Sequence, residues 1–339
     1  MFNLEQAKTR EQARTLFPSR PQRLTEGAVT VYKNQFLEDT LKSLIAGLWI
    51  YFVMEHRLLG RTGFKVSILA IGGCGPGVAP NLEEGLKAFE NALEKGINMV
   101  DIAPSYGEAE TRLAQLIRIN RDKLVVTEKT LERTREGAWR ELRQTLSRFN
   151  VENLDVYQFH AVSTLEELEK IFSEDGAMKA FLEAREQGLI KYIGITAHSD
   201  MRIVVKALER FDFDTVLIPV NVGSMLAPAP ENDFKPVLKI ALDRDIGVIA
   251  IKAVAKRRWV GERKYQTWYE PLEEQEDIDR AVWFTLSQNP VATYSMACDI
   301  RLWPKIISAG ERFRRLSEEE QEAVLNHFRD RAVSPLFPE

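Results

Sequence analysis

Cysteine is almost missing from this chain: 339 residues contain two, Cys74 and Cys298, alongside four histidines, His56, His160, His198 and His327. Two thiols make no disulfide framework. No CxxC or HExxH spacing is present to hold zinc, and an iron–sulfur centre would ordinarily need about four thiolates. Neither sign of charge dominates, with 46 basic against 50 acidic residues and a formal net charge of −4, so no basic face for nucleic acid is expected. Long apolar runs are lacking too. The most hydrophobic stretch, LIAGLWIYFVM at 44–54, has eleven residues where a bilayer span needs about 20. Lys8, Arg10 and Arg14 lie far upstream of it, and no small-x-small cleavage site follows. These absences point to a globular protein in a reducing, cytoplasmic setting, with no metal, nucleic acid or membrane among its partners.

What is present begins at residue 55. HRLLGRTGFKVS (56–67) alternates around Gly60 and Gly63 as a hairpin would. Short β-branched runs follow, each trailed by ten or more residues of helical periodicity: ILAIG (68–72), MVDIA (99–103), LVVTEK (124–129), LDVYQFH (154–160), KYIGIT (191–196), TVLIPV (215–220), GVIAIK (247–252) and ATYSMA (292–297). Strict β-α alternation implies a parallel sheet. Eight such units in roughly 280 residues match a closed (β/α)8 TIM barrel of α/β class with a short N-terminal hairpin. An open doubly wound sheet would want a glycine-rich phosphate loop after its first strand. GGCGPG (72–77) stands there, but with Pro76 and no evident helix it is expected to be a tight turn. Residues 1–53 share none of this pattern. They are expected to be an extension, either upstream reading frame left disordered or a docking helix, with the barrel occupying 54–339.

Barrel active sites gather at the carboxyl ends of the strands, and polar residues terminate apolar runs at several of them. Asp101 ends strand two with Tyr106 in its loop, Lys129 ends strand three, and His160 ends strand four. Thr196, Asn221 and Lys252 end or follow strands five, six and seven. Strands two and three are neighbours, so Asp101 and Lys129 are placed to pair. A buried ion pair seldom stabilises more than apolar residues of equal volume, which favours function. An ammonium near a phenol favours the phenolate, so Lys129 is expected to lower Tyr106 from its ordinary value near 10 toward that of a general acid at neutral pH.

The stretch NMVDIAPSYGEAE (98–110), with Lys129 in VVTEKT, His160 in LDVYQFHA and the opening LGRTGFKVSILAIGG, resembles the aldo-keto reductase family from about residue 55 to 330. That resemblance implies NADPH-dependent reduction of an aldehyde or ketone, with NADH an option. Tyr106 would supply the proton, Lys129 and Asp101 would tune it, and His160 would position a small-molecule carbonyl substrate. Gly73, Thr196, Asn221, Lys252 and Arg301 would contact the cofactor. Such barrels carry a whole site each, so a monomer or small homo-oligomer suffices. Departures from the family pattern concern the cofactor: Thr196-Ala197 replace a usual Ser-Asn, Leu217 replaces a glutamine, and Ile251 falls where an aromatic is common. After strand eight YSMACDIRLW carries Asp299 where a 2′-phosphate would be disfavoured. Only Arg301 and Lys305 are basic there.

Three further expectations follow. The loop AVAKRRWVGERKYQTWYEPLEEQ (253–275) is long enough to be functional, and its Trp259, Trp268 and Tyr269 suit a substrate lid or rim packing. Cys74 and Cys298 follow strands one and eight, which closure makes neighbours. Oxidation could join them and block the cofactor site, although two free thiols beyond about 7 Å between Cα atoms are the simpler expectation. Lastly, strand-end lysines would serve a Schiff-base lyase using Lys129 or Lys252, and a nucleotide-sensing subunit with little turnover would need the binding residues alone.

Overall fold

The computed structural model describes residues 54–338; the expected extension at 1–53 lies outside the described residues. The hairpin forms as β1 (His56–Leu58) and β2 (Lys65–Ser67), paired antiparallel. Eight parallel strands then close into a barrel: β3 (Leu69–Gly72), β4 (Met99–Asp101), β5 (Val125–Thr130), β6 (Leu154–Phe159), β7 (Ile190–Thr196), β8 (Thr215–Pro219), β9 (Gly247–Ile251) and β12 (Val291–Ser295), in the cyclic order β12-β3-β4-β5-β6-β7-β8-β9. Between β9 and β12 the long loop folds into a small ribbon, β10 (Ala255–Arg257) with β11 (Glu270–Pro271).

The helix Leu82–Glu94 illustrates how the outer layer forms. Asn81 accepts from the Glu84 amide at 2.9 Å as its N-cap, Glu83 and Glu84 complement the first-turn dipole, and Gly96 follows the end at φ +79°. Phe89 and Ala92 on its inner face are fully buried in the main core between helices and barrel, where a phenylalanine contributes about 1.5–3 kcal/mol. A second, smaller core fills the barrel: Met99, Val125, Leu217 and Ile249, closed from below by Leu59, Val66 and Phe64 of the hairpin segment. The hairpin thus plugs the end opposite the carboxyl mouth.

One local expectation is corrected. GGCGPG is not a bare turn, because a five-residue helix, Cys74–Val78, starts directly after β3. Pro76 sits in its first turn, where the missing N–H would have no intrahelical partner. Two of its glycines permit close approaches. A Cβ at Gly77 would lie 2.1 Å from the Tyr106 carbonyl oxygen, and one at Gly72 would lie 2.0 Å from the Met296 carbonyl oxygen. The first lets the Tyr106 loop lie against this helix, and the second draws the exits of β3 and β12 together.

Candidate active site

Alternation along a strand decides which residues enter the barrel. Met99 and Val125 face the inner core, so Asp101, Thr127 and Lys129 continue the same inward face toward the mouth. Asp101 is 2% exposed and Lys129 fully buried. Lys129 Nζ lies 2.6 Å from Asp101 Oδ1 and donates to the Ile102 carbonyl at 2.9 Å. The Asp101 carboxylate also accepts from Thr127 Oγ1 and from Ser295 Oγ, each at 3.0 Å. Tyr106, half-buried in the loop after β4, has Lys129 Nζ 4.7 Å from its ring centre. Its ring meets that of His160 edge-on at 5.6 Å. His160 follows β6, takes its backbone amide to the Thr130 carbonyl, and has Ser105 Oγ 3.3 Å from Nδ1.

The four residues named from sequence are therefore together. Their electrostatics differ from expectation in one respect. Burial pushes the Tyr106 phenol up to about 12; the Lys129 ammonium pulls the other way without overcoming it. Desolvation is the stronger influence because the same enclosure that brings Lys129 close strips water from the phenolate. Burial also pulls Lys129 down, but Asp101 and then Tyr106 more than offset it and hold the ammonium above its ordinary range. His160 is lowered to about 3 by burial and by the cations Lys129 and Arg133. It is a neutral imidazole at neutral pH.

A cavity of about 250 Å³ opens beside these groups, lined by Asp101, Ser105, Tyr106, His198, Ile251, Lys252, Trp268, Tyr269, Ser295, Met296 and the two cysteines. Of the residues expected to meet a cofactor, Lys252 alone lines it. Asn221 lines an adjoining cleft with Lys252, His198 and Phe337. Thr196 is fully buried, its Oγ1 accepting from the Ala161 amide at 2.8 Å. Gly73 caps the Cys74–Val78 helix and donates to the Asp101 carbonyl. Arg301 stands outside the lining, its guanidinium 2.6 Å from Asp299 and over the Tyr265 ring. Asp299 is expected from sequence to lie where a 2′-phosphate would sit. It is 3% exposed and accepts from the amides of Arg301 and Gln266 as well as from the Arg301 side chain.

Lys252 contrasts with Lys129. Among the described residues its polar partners are His198 Nδ1 at 3.0 Å and the His198 carbonyl at 3.5 Å, with no carboxylate. Burial holds it well below its ordinary range. The Trp268 and Phe337 rings, 4.6 and 5.5 Å away, favour the ammonium by about 0.5–2 kcal/mol each. Removing a charge without a counter-ion from water costs several kcal/mol, so burial is the stronger influence.

The cysteine expectation is overturned. Cys74 and Cys298 are bonded, with Cα atoms 4.9 Å apart, because the Gly72–Met296 approach brings the two strand exits together. The bridge closes a loop across 224 residues of sequence, so reducing it should lower the unfolding free energy by about 2–4 kcal/mol. Denaturant unfolding with and without a thiol reductant, repeated on Cys74→Ser, measures this. An unchanged midpoint would mean that the bridge does not form in solution.

Sequence reasoning did not single out Ser295, which anchors Asp101 from β12, or His198, two residues past the end of β7. Both stood at strand ends, the signal used for the others. The long loop does place Trp268 and Tyr269 in the cavity wall, whereas Trp259 donates to the Thr267 carbonyl within the loop. No helix among the described residues is long and apolar enough to cross a membrane.

Residues 69–324 match the Aldo/keto reductase family. The chain is 24% identical over 217 residues to the uncharacterized oxidoreductase YqkF of Bacillus subtilis, a match covering 60% of this chain and 66% of that one. It is 27% identical over 198 residues to Protein REDOX 2 of Catharanthus roseus, covering 53% and 60%. The match thus spans about two thirds or less of these relatives. In fold it resembles an aldo-keto reductase of Bacillus halodurans in its holo form, with a TM-score of 0.64 at 18% identity, over 84% of this chain and 99% of that one.

Proposed function

The chain belongs to the aldo/keto reductase family, and from that premise we propose that it reduces a small aldehyde or ketone to the alcohol, or runs the reverse oxidation, with NADPH as cofactor and NADH as the alternative. The observation that carries this reading is the Tyr106 phenol sharing one cavity with Asp101, backed by Lys129 at 4.7 Å and flanked by His160. Bound nicotinamide would supply the hydride. The cavity suits that ring: Ile251, Met296 and Ala297 offer apolar walls and the Lys252 amine offers a polar contact beside them, with Asn221 in the adjoining cleft.

Each catalytic residue has a task in this reading. Tyr106 holds its proton through neutrality and gives it to the carbonyl oxygen as negative charge develops there. Lys129, kept charged by Asp101, stabilises the phenolate that remains. His160, neutral, donates from Nε2 to orient the same oxygen. Asp299 is neutralised by Arg301, so it opposes a 2′-phosphate less than a free carboxylate would, which favours retaining NADPH; Arg301 keeps donors that can face one. All four catalytic residues come from one chain, consistent with a monomer or small homo-oligomer. A cytoplasmic setting is part of the proposal, and the cystine would then be a redox-responsive bond, since cytosolic thiol pairs are mostly kept open.

Titration with NADPH and, separately, NADH, followed by nucleotide fluorescence and then by turnover of a simple aldehyde, tests the reading. Saturable binding with turnover is expected, tighter for NADPH. Failure to bind either nucleotide would remove hydride transfer from consideration.

A further inference from the structure

Among the polar groups of the cavity that carbonyl reduction at Tyr106 does not use as chemistry is the Lys252 amine. Three features set it apart. Its backbone sits at φ +65° immediately past the end of β9, a conformation uncommon outside glycine and often found at functional sites. The residue is 4% exposed yet lines the cavity. Its close polar neighbour is a histidine nitrogen, His198 Nδ1 at 3.0 Å, where the other buried lysine has a carboxylate. Burial holds the His198 imidazole well below its ordinary range, and its Nδ1 faces the amine at hydrogen-bond distance. The Trp268 ring and Tyr269 shield the pair from solvent.

We propose that Lys252 is a second, carbonyl-reactive centre, a nucleophilic amine that condenses with small aldehydes entering the cavity and holds them as an imine. Lys252 Nζ attacks the carbonyl carbon while the C=O π pair moves to oxygen. His198 Nδ1 takes one nitrogen proton and passes it to that oxygen, giving the carbinolamine. A second transfer by the same route, from nitrogen through His198 to the hydroxyl, releases water and leaves the C=N bond. No electrons enter or leave, and no nucleotide is needed, so the chemistry stands apart from the reductase reading. Lys129 cannot do the same, because Asp101 at 2.6 Å keeps it protonated.

The test uses the full-length protein without nucleotide, treated with propionaldehyde and cyanoborohydride at pH 7.4, with peptide mass mapping of each lysine over time. Hydride from cyanoborohydride fixes an imine as a secondary amine. An exposed lysine has its amine free only about one part in 10³ at this pH, so Lys252 should be alkylated first, by on the order of tenfold or more, with Lys129 untouched. Lys252→Arg should lose this fast phase, and Tyr106→Phe should keep it. Alkylation confined to exposed lysines with Lys252 unmarked, or a fast phase at Lys129, would overturn the proposal. Because aldehyde reduction is scored separately by nucleotide oxidation, either reading can fail while the other stands.

Discussion

Tyr106→Phe should leave a folded protein that still binds nicotinamide nucleotide but reduces a simple aldehyde about 10²–10⁴-fold more slowly, equivalent to about 3–5 kcal/mol of barrier. The substitution removes one hydroxyl and keeps the ring that packs on His160 and lies over Lys129, so the scaffold has little reason to change. The loss should fall on kcat. The phenol acts as the developing charge appears, and an interaction made only then does not alter ground-state binding. A fall in kcat with nucleotide affinity unchanged is the expected pattern; wild-type turnover in the variant would move the proton donor elsewhere. The phenol's elevation to about 12 adds a spectroscopic expectation. In nucleotide-free protein, the phenolate absorbance difference between wild type and Tyr106→Phe should stay flat through neutral and mildly alkaline pH.

The second large effect concerns stability. Asp101→Ala should lower the unfolding free energy by about 3–5 kcal/mol, because it leaves Lys129 buried with its charge uncompensated. The carbonyl of Ile102 would remain as an acceptor, but no carboxylate would face the ammonium at this contact. Lys129→Met should cost less, since Asp101 retains the hydroxyls of Thr127 and Ser295. The double variant, Asp101→Ala with Lys129→Met, should recover much of the loss, as removing both charges removes the desolvation problem. Urea unfolding of the three variants measures the coupling. Simple addition of the two single losses would show that the pair does not act as a unit. Activity should be poor in all three, since each takes the cation away from the phenol or leaves it unheld.

The barrel was legible because buried strands announce themselves as short β-branched runs, and Asp101, Lys129 and His160 were legible because each ends such a run with a polar residue. Their convergence followed from strand order alone. The direction of the Tyr106 shift was not legible: it depends on how much water is excluded, and part of that enclosure comes from Trp268 and Tyr269, more than 160 positions along the chain. The surroundings of Asp299 were hidden for a related reason. Its carboxylate is engaged by two backbone amides and Arg301, and one of those amides, Gln266, arrives only when the long loop folds back. The cysteines show the limit from the other side. Topology made them neighbours, but the few ångströms separating a possible bond from a real one were decided by Gly72 and the carbonyl of Met296, a contact no pattern of residue types encodes.

The bond between Cys74 and Cys298 also changes what kind of object the barrel is. A (β/α)8 barrel is ordinarily a string wound into a ring, held shut at its seam by hydrogen bonds between first and last strands. Here the seam from β3 to β12 is riveted, and the string becomes a hoop. A protease that cuts the backbone once anywhere between the two cysteines produces a nick, and the two pieces stay tethered beside each other until the rivet is reduced.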